Sequence, residues 1–319
     1  MRDPFGREIN YLRVSVTDRC NLRCVYCMPE NATFLPAGEI LTYEEISRAV
    51  RVFAGAGVRK VRLTGGEPLA RKNIEALVAD LAAVQEIEDL SLTTNGLLLA
   101  EKAPRLAAAG LRRVNVSLDT LDPEKFRSIC RAGALESVLS GLRAASAAGL
   151  RPIKVNVVVM RGRNEDEIPG FLDFSLRENV TVRFIEYMPL NMDAEWEKRY
   201  VPREEMMESA AGRLSPVSDG SEEPNAPARY YNISGSGLRA GFISPVSHGF
   251  CSRCNRMRLT PEGRLRACLL SENSVDIKTL MRNGCSDADL LDAFLRAASA
   301  KGEKGRFPEG PRPMHSIGG

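Results

Sequence analysis

Alternating apolar and polar positions predict six β-strands in the first part of the chain. The predicted strands are 12–17, 61–64, 90–95, 114–119, 154–159 and 182–187. Between each two successive strands, apolar residues recur at helical spacing; Thr42 and Glu45 form a capping box before the first such helix. This alternation predicts right-handed parallel βα units, and therefore either a barrel or an open doubly wound sheet.

Several of these strands carry one polar face. A strand covered by helices on both sides should be apolar throughout. If helices cover only the apolar face, the polar face must line an interior that is not dry, which favours a barrel with a cavity. The polar positions are Arg13, Ser15, Thr17, Arg62, Thr64, Asn115, Ser117, Asp119, Lys154 and Asn156.

Three cations on these faces, Arg13, Arg62 and Lys154, would point into the cavity. Buried charges need partners, and few acids share the same faces. An anionic ligand would supply the missing charge. Two alternatives remain open: Asp119 or Glu186 pairs with the cations, or these strands are edges that face water.

After residue 187 the alternation ends. We expect a helix over 203–212, a hairpin of strands 229–233 and 240–243, and a helix over 288–300. The stretch 217–227 is rich in Pro, Ser and Glu; we expect it to be unstructured, and we assign no function to it. The chain then ends in a tail rich in Gly, Pro and charged residues.

Composition excludes several classes of protein. The chain has 319 residues, of which 44% are hydrophobic and 27% charged. Its net charge of +3 is too small to indicate nucleic-acid binding. No apolar run approaches the ~18 residues of a membrane span, and no signal peptide is present, so we expect a cytoplasmic protein. No Gly-x4-Gly-Lys-Ser/Thr loop exists, so a nucleoside triphosphate would need dispersed Arg and Lys.

Six of the eight cysteines fall into two groups of three. Cys20, Cys24 and Cys27 lie directly after the first strand at Cys-x3-Cys-x2-Cys spacing. Three thiolates leave one corner of a four-iron cluster open, whereas a zinc loop would need a fourth ligand from elsewhere. The spacing resembles the signature loop of the radical S-adenosylmethionine (SAM) enzymes, in which SAM binds the open iron.

The second group is Cys251, Cys254 and Cys268. It is either a zinc site completed by His248 or a second cluster with an open iron, and the spacing does not separate the two. Arg256 and Arg258 follow at alternating positions, and arginines beside a metal favour a phosphate-bearing ligand there. Cys130 and Cys285 are isolated, and we interpret both as ordinary buried thiols.

Together, both cysteine groups, Gly65-Gly66-Glu67-Pro68, Thr93-Thr94-Asn95-Gly96, Asn115-Val116-Ser117-Leu118-Asp119 and the terminal Gly-Gly resemble the GTP 3′,8-cyclase family of radical SAM enzymes. That family begins molybdenum cofactor biosynthesis. The resemblance implies an α/β fold: an incomplete (β/α)6 TIM-type barrel with a C-terminal extension that carries the second metal site. It divides the chain into a radical SAM partial barrel (1–188), a region closing the barrel (189–300) and a flexible tail with a functional Gly-Gly end (301–319).

The resemblance also implies the site residues. Cys20, Cys24 and Cys27 would hold a SAM-binding [4Fe–4S] cluster, and Cys251, Cys254 and Cys268 a second [4Fe–4S] cluster whose open iron faces guanine. The SAM contacts would be Tyr26, Gly66, Ser117 and Met188. The GTP contacts would be Arg13, Arg62, Thr93, Lys154, Arg256, Met257 and Arg258. Gly318 and Gly319 would reach into the barrel as catalytic residues.

The implied reaction is a radical one carried by the cofactors. Reductive cleavage of SAM gives a 5′-deoxyadenosyl radical, which removes the 3′ hydrogen of GTP, and the ribose radical attacks C8 of guanine. The implied partners are GTP, an electron donor and the downstream enzyme that forms the cyclic pyranopterin; a homodimer is compatible, and neither nucleic acid nor membrane is expected. The remaining alternatives are a radical SAM enzyme that modifies peptides and a non-catalytic zinc or iron–sulfur protein.

Overall fold

The computed structural model of the chain describes residues 1–190, 195–210, 212–217, 225–308 and 314–318. The six predicted strands are all present, most of them beginning one residue before the predicted start. The additional first residues of these strands are polar; Lys60 and Asp89, for example, pair with each other on the second and third strands. The twelve strands within the described residues are β1 (Tyr11–Ser15), β2 (Lys60–Thr64), β3 (Asp89–Thr94), β4 (Arg113–Ser117), β5 (Lys154–Val159), β6 (Thr181–Glu186), β7 (Leu214–Pro216), β8 (Ala228–Ile233), β9 (Arg239–Ile243), β10 (Arg256–Leu259), β11 (Arg264–Arg266) and β12 (Ser274–Asp276).

A helix lies between each two successive strands from β1 to β6, as the apolar spacing predicts. The α-helices of the described part of the chain are α1 (Tyr43–Gly55), α2 (Ile74–Ala82), α3 (Leu99–Ala108), α4 (Pro123–Cys130), α5 (Leu135–Ala147), α6 (Ile168–Glu178), α7 (Trp196–Arg199), α8 (Arg203–Ser209), α9 (Ile277–Arg282), α10 (Asp287–Ser299) and α11 (Met314–Ile317). None of them is long and apolar enough to cross a membrane.

The order of strands decides between the two predicted architectures. β1 to β6 are parallel and neighbour one another in chain order, in a sheet ordered β12-β11-β10-β1-β2-β3-β4-β5-β6-β9-β8-β7. A doubly wound sheet reverses its strand order at a switch point, and β1 to β6 contain no reversal. The six βα units therefore form the partial TIM-type barrel that the resemblance implies.

The later part of the chain extends both edges of this barrel. The predicted hairpin is confirmed as β8 and β9, and β9 pairs in parallel with β6. At the other edge β10 pairs in parallel with β1 and continues into the antiparallel β11 and β12. The sequence did not predict β10, although its pairing with β1 brings the second cysteine group to the barrel.

Helices cover the outer, apolar face of the strands. The predicted capping box of Thr42 and Glu45 begins α1, whose Phe53 is fully buried. The ring of Phe53 stacks on Phe294 of α10 with the centroids 4.4 Å apart. The helix predicted at 288–300 is therefore present and packs on the barrel. The stretch 217–227 lies largely outside the described residues.

Candidate active site

A single cavity of about 1260 Å³ inside the barrel contains both cysteine groups. Cys20, Cys24 and Cys27 follow the end of β1, and Cys251, Cys254 and Cys268 lie around β10 and β11. The cavity wall also includes the predicted ligand contacts Arg13, Tyr26, Arg62, Gly66, Thr93, Ser117, Lys154, Met188, Arg256 and Arg258. The structure thus brings together residues separated by more than 200 positions.

Strand register places the cations in adjacent rows. Arg13 of β1 lies directly opposite Arg258 of β10 on one side and Arg62 of β2 on the other. Opposite residues of neighbouring strands point to the same face. Arg256 lies two residues before Arg258 on β10, opposite Tyr11 of β1. On the other side of the barrel, Lys154 lies opposite Asn115.

The cations are held in an environment unfavourable to charge. Desolvation, with repulsion from Arg258, lowers the pKa of Arg13 well below its usual range. Desolvation, with repulsion from Arg256, lowers the pKa of Arg258 to about 10. Desolvation also lowers the pKa of Lys154. Partly or fully buried cations that repel one another fit an anionic ligand, because its negative charge would offset the repulsion and the desolvation.

The acids that could have neutralised these cations have other partners. Asp119 accepts hydrogen bonds from the hydroxyl of Tyr26 (2.7 Å) and the amide of Val158 (2.9 Å). Glu186 accepts from the backbone amides of Val246 (2.9 Å) and Ser247 (3.0 Å). These contacts argue against both acids as counterions, and the strands line a cavity rather than an exposed edge. Within the described part of the chain, Nε of Arg62 and Oδ1 of Asn115 are buried without a hydrogen-bond partner, although both residues line the cavity.

The first cysteine loop is held by its own backbone and by Asn95, which directly follows β3. The Sγ of Cys20 accepts from the amide of Leu22 (3.4 Å) and from the side-chain amide of Asn95 (3.7 Å), and burial raises the pKa of its thiol to about 12. Metal binding would remove that proton. Cys130 is buried, as predicted, and its thiol lies against Cys24. Cys285 is only partly buried, so half of the prediction for the isolated cysteines is wrong.

Gly66 belongs to the turn that supports this loop. A Cβ on Gly66 would clash with the carbonyl oxygen of Arg19, so only glycine fits here. The amide of Glu67 donates to that same carbonyl (2.8 Å). The carboxylate of Glu67 is fully buried and accepts from the amide of Asn95 (2.7 Å) and the hydroxyl of Thr94 (2.8 Å). The turn thus fastens the ends of β2 and β3 to the cysteine loop.

Glu67→Gln should remove a pH dependence of stability. Burial raises the pKa of Glu67 from 4.5 to about 7. Because the folded state holds the proton more tightly, the free energy of unfolding should fall as pH rises from 4.5 to about 7, in total by roughly 3 kcal/mol. The side-chain amide of the variant does not titrate, so its stability profile over this window should be flatter by that amount. The NH2 group of Gln cannot accept a hydrogen bond, so one buried donor loses its partner, at a constant loss of about 1–3 kcal/mol. Anaerobic denaturant unfolding between pH 4.5 and 8 measures both.

Glu124→Gln is the control, because its side chain is 88% exposed. It should reproduce the wild-type profile. Parallel profiles for wild type and Glu67→Gln would show that Glu67 does not take up a proton in this window.

The second cysteine group does not include His248. The Nε2 of His248 lies 2.7 Å from the carboxylate of Glu204, and its side chain is about half exposed. The predicted zinc alternative therefore loses its fourth ligand. Burial opposes ionisation of Cys254, but the positive charges of Arg256 and Lys301 prevail and lower the pKa of its thiol to about 6. A thiol that ionises this readily is a ready metal ligand.

The donor set of each group fits a cluster better than a single ion. Among the described residues, no three His, Cys, Asp or Glu side chains are close enough to hold one metal ion. In a four-iron cluster each thiolate binds a different iron, so three separated thiols around one cavity suit it. All eight cysteines are free of disulfides, which leaves both groups available.

Three predicted contacts need comment. The side chain of Met257 is fully buried in the hydrophobic core, because alternation along β10 turns it away from the cavity that Arg256 and Arg258 line. Gly318 lies against Ser15 and Thr64, and its carbonyl accepts a hydrogen bond from Arg258. Gly319 lies outside the described residues.

The structure adds a cation that the sequence prediction missed. Arg183 of β6 is 7% exposed, lines the cavity, and donates to Asn156 Oδ1 (2.9 Å). Desolvation lowers its pKa to about 10. Arg183 stands between the apolar Val182 and Phe184, and this alternation is the sequence signal that identifies it as inward-facing.

Comparison with known proteins agrees with this geometry. Residues 14–175 match the Radical SAM superfamily, and residues 180–307 match Molybdenum Cofactor Synthesis C. A GTP 3′,8-cyclase of Moorella thermoacetica is 48% identical over 327 aligned positions, with all of both chains covered. The chain belongs to the GTP 3′,8-cyclase family. It is therefore a radical SAM enzyme, and its cofactors are SAM and iron–sulfur clusters.

Other relatives of the family agree. The GTP 3′,8-cyclase of Thermodesulfovibrio yellowstonii is 45% identical with complete coverage of both chains. GTP 3′,8-cyclase 1 of Pseudomonas aeruginosa is 48% identical, covering 96% of this chain and 93% of its own. A crystal structure of Streptococcus suis SuiB bound to S-adenosylmethionine superposes with a TM-score of 0.67 at 15% identity, covering 97% of this chain and 77% of SuiB, which shows the shared fold. Membership of the cyclase family sets aside the alternatives of a peptide-modifying enzyme and a non-catalytic protein.

Proposed function

We propose that this chain joins C3′ of the GTP ribose to C8 of guanine, forming (8S)-3′,8-cyclo-7,8-dihydroguanosine 5′-triphosphate at the first step of molybdenum cofactor biosynthesis. The observation that carries the proposal is the row of cations lining the cavity that also contains both cysteine groups. Arg13, Arg62 and Arg258 lie side by side at the same level of three strands. A triphosphate supplies the several negative charges that this row requires.

We propose that the first group, Cys20, Cys24 and Cys27, holds the SAM cluster and that Cys251, Cys254 and Cys268 hold the second. When bound and reduced, the first cluster with SAM would supply the 5′-deoxyadenosyl radical needed to remove the 3′ hydrogen of GTP. Tyr26, Gly66, Ser117 and Met188 would contact SAM. The hydroxyl of Tyr26 is anchored on Asp119, which fixes its ring next to Cys27.

GTP would lie between the two groups. Arg13, Arg62, Lys154, Arg256 and Arg258 would bind its phosphates, with Arg183 as an additional cation. Thr93 accepts from the Arg62 guanidinium (3.5 Å) and would hold that arginine in position. The chain contributes binding, orientation and the exclusion of water, because a radical must meet its intended hydrogen donor before any other.

We further propose that the enzyme works with a reducing electron donor and passes its product to an enzyme that forms the cyclic pyranopterin. A cytoplasmic location suits its free thiols. The division into regions 1–188, 189–300 and 301–319 is also part of this proposal.

Anaerobic incubation with SAM, reductant and GTP tests the activity directly. The expected products are the cyclised nucleotide, methionine and 5′-deoxyadenosine. Formation of 5′-deoxyadenosine without any GTP-derived product would contradict the proposed reaction.

Arg62→Met should weaken binding of GTP but not of guanosine. The substitution removes a buried cation whose charge only the phosphates would use. A charge-assisted hydrogen bond is worth about 1.5–3 kcal/mol, so the Kd for GTP should rise about 10- to 100-fold, measured by anaerobic calorimetry.

Arg177→Met is the matched control, because its side chain is 64% exposed and it should leave both affinities unchanged. An equal loss of GTP and guanosine affinity in Arg62→Met would show that Arg62 does not bind phosphate.

A further inference from the structure

The segment 301–305, which we call the C-terminal strap, contacts the second cysteine group. It directly follows α10, at the point where composition predicts a flexible tail. Lys301, however, is only 3% exposed. Its Nζ donates to the carbonyl oxygens of Arg256 (2.8 Å) and Ala267 (2.6 Å). One cation thus connects the backbone just after Cys254 to the backbone just before Cys268.

Arg7 binds the strap from the other side. Its guanidinium donates to the carbonyl oxygens of Cys251 (2.8 Å) and Gly302 (2.8 Å), and at longer distance to those of Glu303 (3.2 Å) and Lys301 (3.4 Å). Asp3 accepts from the Nε of Arg7 (2.6 Å), and both side chains are at least 95% buried. An almost fully buried arginine whose donors go to these carbonyls is suited to holding backbone in place.

The strap also reaches the sulfur atoms. The amide of Gly305 donates to the Sγ of Cys251 (3.4 Å), and the amide of Leu270 donates to the Sγ of Cys268 (3.4 Å). A Cβ on Gly305 would lie 2.9 Å from Leu270 and 3.4 Å from the Sγ of Cys268. Hydrogen bonds to cluster sulfurs and nearby positive charge both raise the reduction potential of an iron–sulfur cluster, because they stabilise the more negative reduced state.

We propose that the C-terminal strap is part of the second cluster site, with Lys301 and Arg7 as positioning residues that hold the three cysteines and with Lys301 also setting the reduction potential. The two cations have separable roles. Lys301 brings its charge into the field of Cys254 and Cys268, whereas the charge of Arg7 is neutralised by Asp3. The proposal rests on the second cluster being bound at Cys251, Cys254 and Cys268.

Lys301→Met and Lys301→Gln test the role of charge. In both variants the reduction potential of the second cluster should become more negative. The equilibrium constant for its reduction should fall at least tenfold, which corresponds to about 59 mV for one electron. Spectroelectrochemical titration measures this potential. Gln keeps a donor for the two carbonyls, so Lys301→Gln should retain iron better than Lys301→Met. The first cluster and its cleavage of SAM should be unchanged.

Arg7→Lys tests the role of positioning. It keeps the charge and the pair with Asp3 but loses the guanidinium that spans several carbonyls. Iron should leave the second group at least tenfold faster in the presence of a chelator, with little change in potential. Lys198→Met, at a side chain 79% exposed, is the control for removing a lysine charge and should match wild type in both measurements.

An unchanged potential in the Lys301 variants, or unchanged iron loss in Arg7→Lys, would overturn the corresponding role. If Lys301→Met does not accumulate as a protein that cleaves SAM, Lys301→Gln and Arg7→Lys decide the question. Cys268→Ser separates failure of the strap from failure of the second cluster: if it loses no iron relative to wild type, the cluster assignment is wrong and the strap proposal falls with it.

Discussion

Cys24→Ser should abolish cleavage of SAM, whereas Cys268→Ser should abolish cyclisation of GTP and still permit some uncoupled SAM cleavage. The two cysteines lie in different groups around the same cavity. Cys24 belongs to the group that would hold the SAM cluster, so its loss removes the source of the radical. Cys268 belongs to the group nearest Arg256 and Arg258, so its loss disturbs only the side of the cavity that receives GTP.

Iron analysis and 5′-deoxyadenosine formation measure the two effects. Wild-type protein purified anaerobically should carry about eight irons per chain, and each variant about four. Cys285→Ser is the matched control, because Cys285 is a free thiol outside both groups and should leave iron and activity unchanged. Equal loss of SAM cleavage in Cys24→Ser and Cys268→Ser would contradict the division of roles, and about four irons in wild type would contradict the second cluster.

Removal of Gly318 and Gly319 should nearly eliminate cyclisation, and Gly318→Ala should have a similar effect. The end of the chain connects the two halves of the site: the amide of Met314 donates to the carbonyl of Cys27 (3.1 Å), and the carbonyl of Gly318 accepts from Arg258. Gly318 has φ +85°, and a Cβ there would lie 2.6 Å from the Cβ of Ser15. An alanine therefore cannot occupy this position without moving the tail.

Activity, cluster content and GTP affinity should be measured together. Both clusters and SAM binding should be intact in the truncated protein, and GTP affinity should change by less than about tenfold, or ~1.4 kcal/mol. An extension of the terminus by a tag should act like the truncation, and a free peptide ending in Ile-Gly-Gly should restore some activity. Gly284→Ala is the matched control, because Gly284 has φ +79° but open space around it. Full activity in the truncated protein would show that the tail is dispensable.

Local patterns determined a large part of this protein. Period-two alternation predicted β1 to β6 because each strand has one helix-covered face and one cavity face, and those two environments select opposite residue types. The same alternation identified Arg13, Arg62 and Lys154 as inward-facing. The spacing of Cys20, Cys24 and Cys27 within one loop identified the first metal group, because loop length alone limits how far such thiols can separate.

Only the tertiary structure decided what depends on contacts between distant segments. β10 is four residues long and forms by pairing with β1, which brings Arg258 beside Arg13. The exclusion of His248 required its contact with Glu204. The burial of Lys301 and the position of Gly318 contradict what a Gly- and Pro-rich composition indicates, because their partners lie tens to hundreds of residues away. Such positions have no local periodicity, so the sequence determined the chemistry of the groups and the fold determined which of them meet.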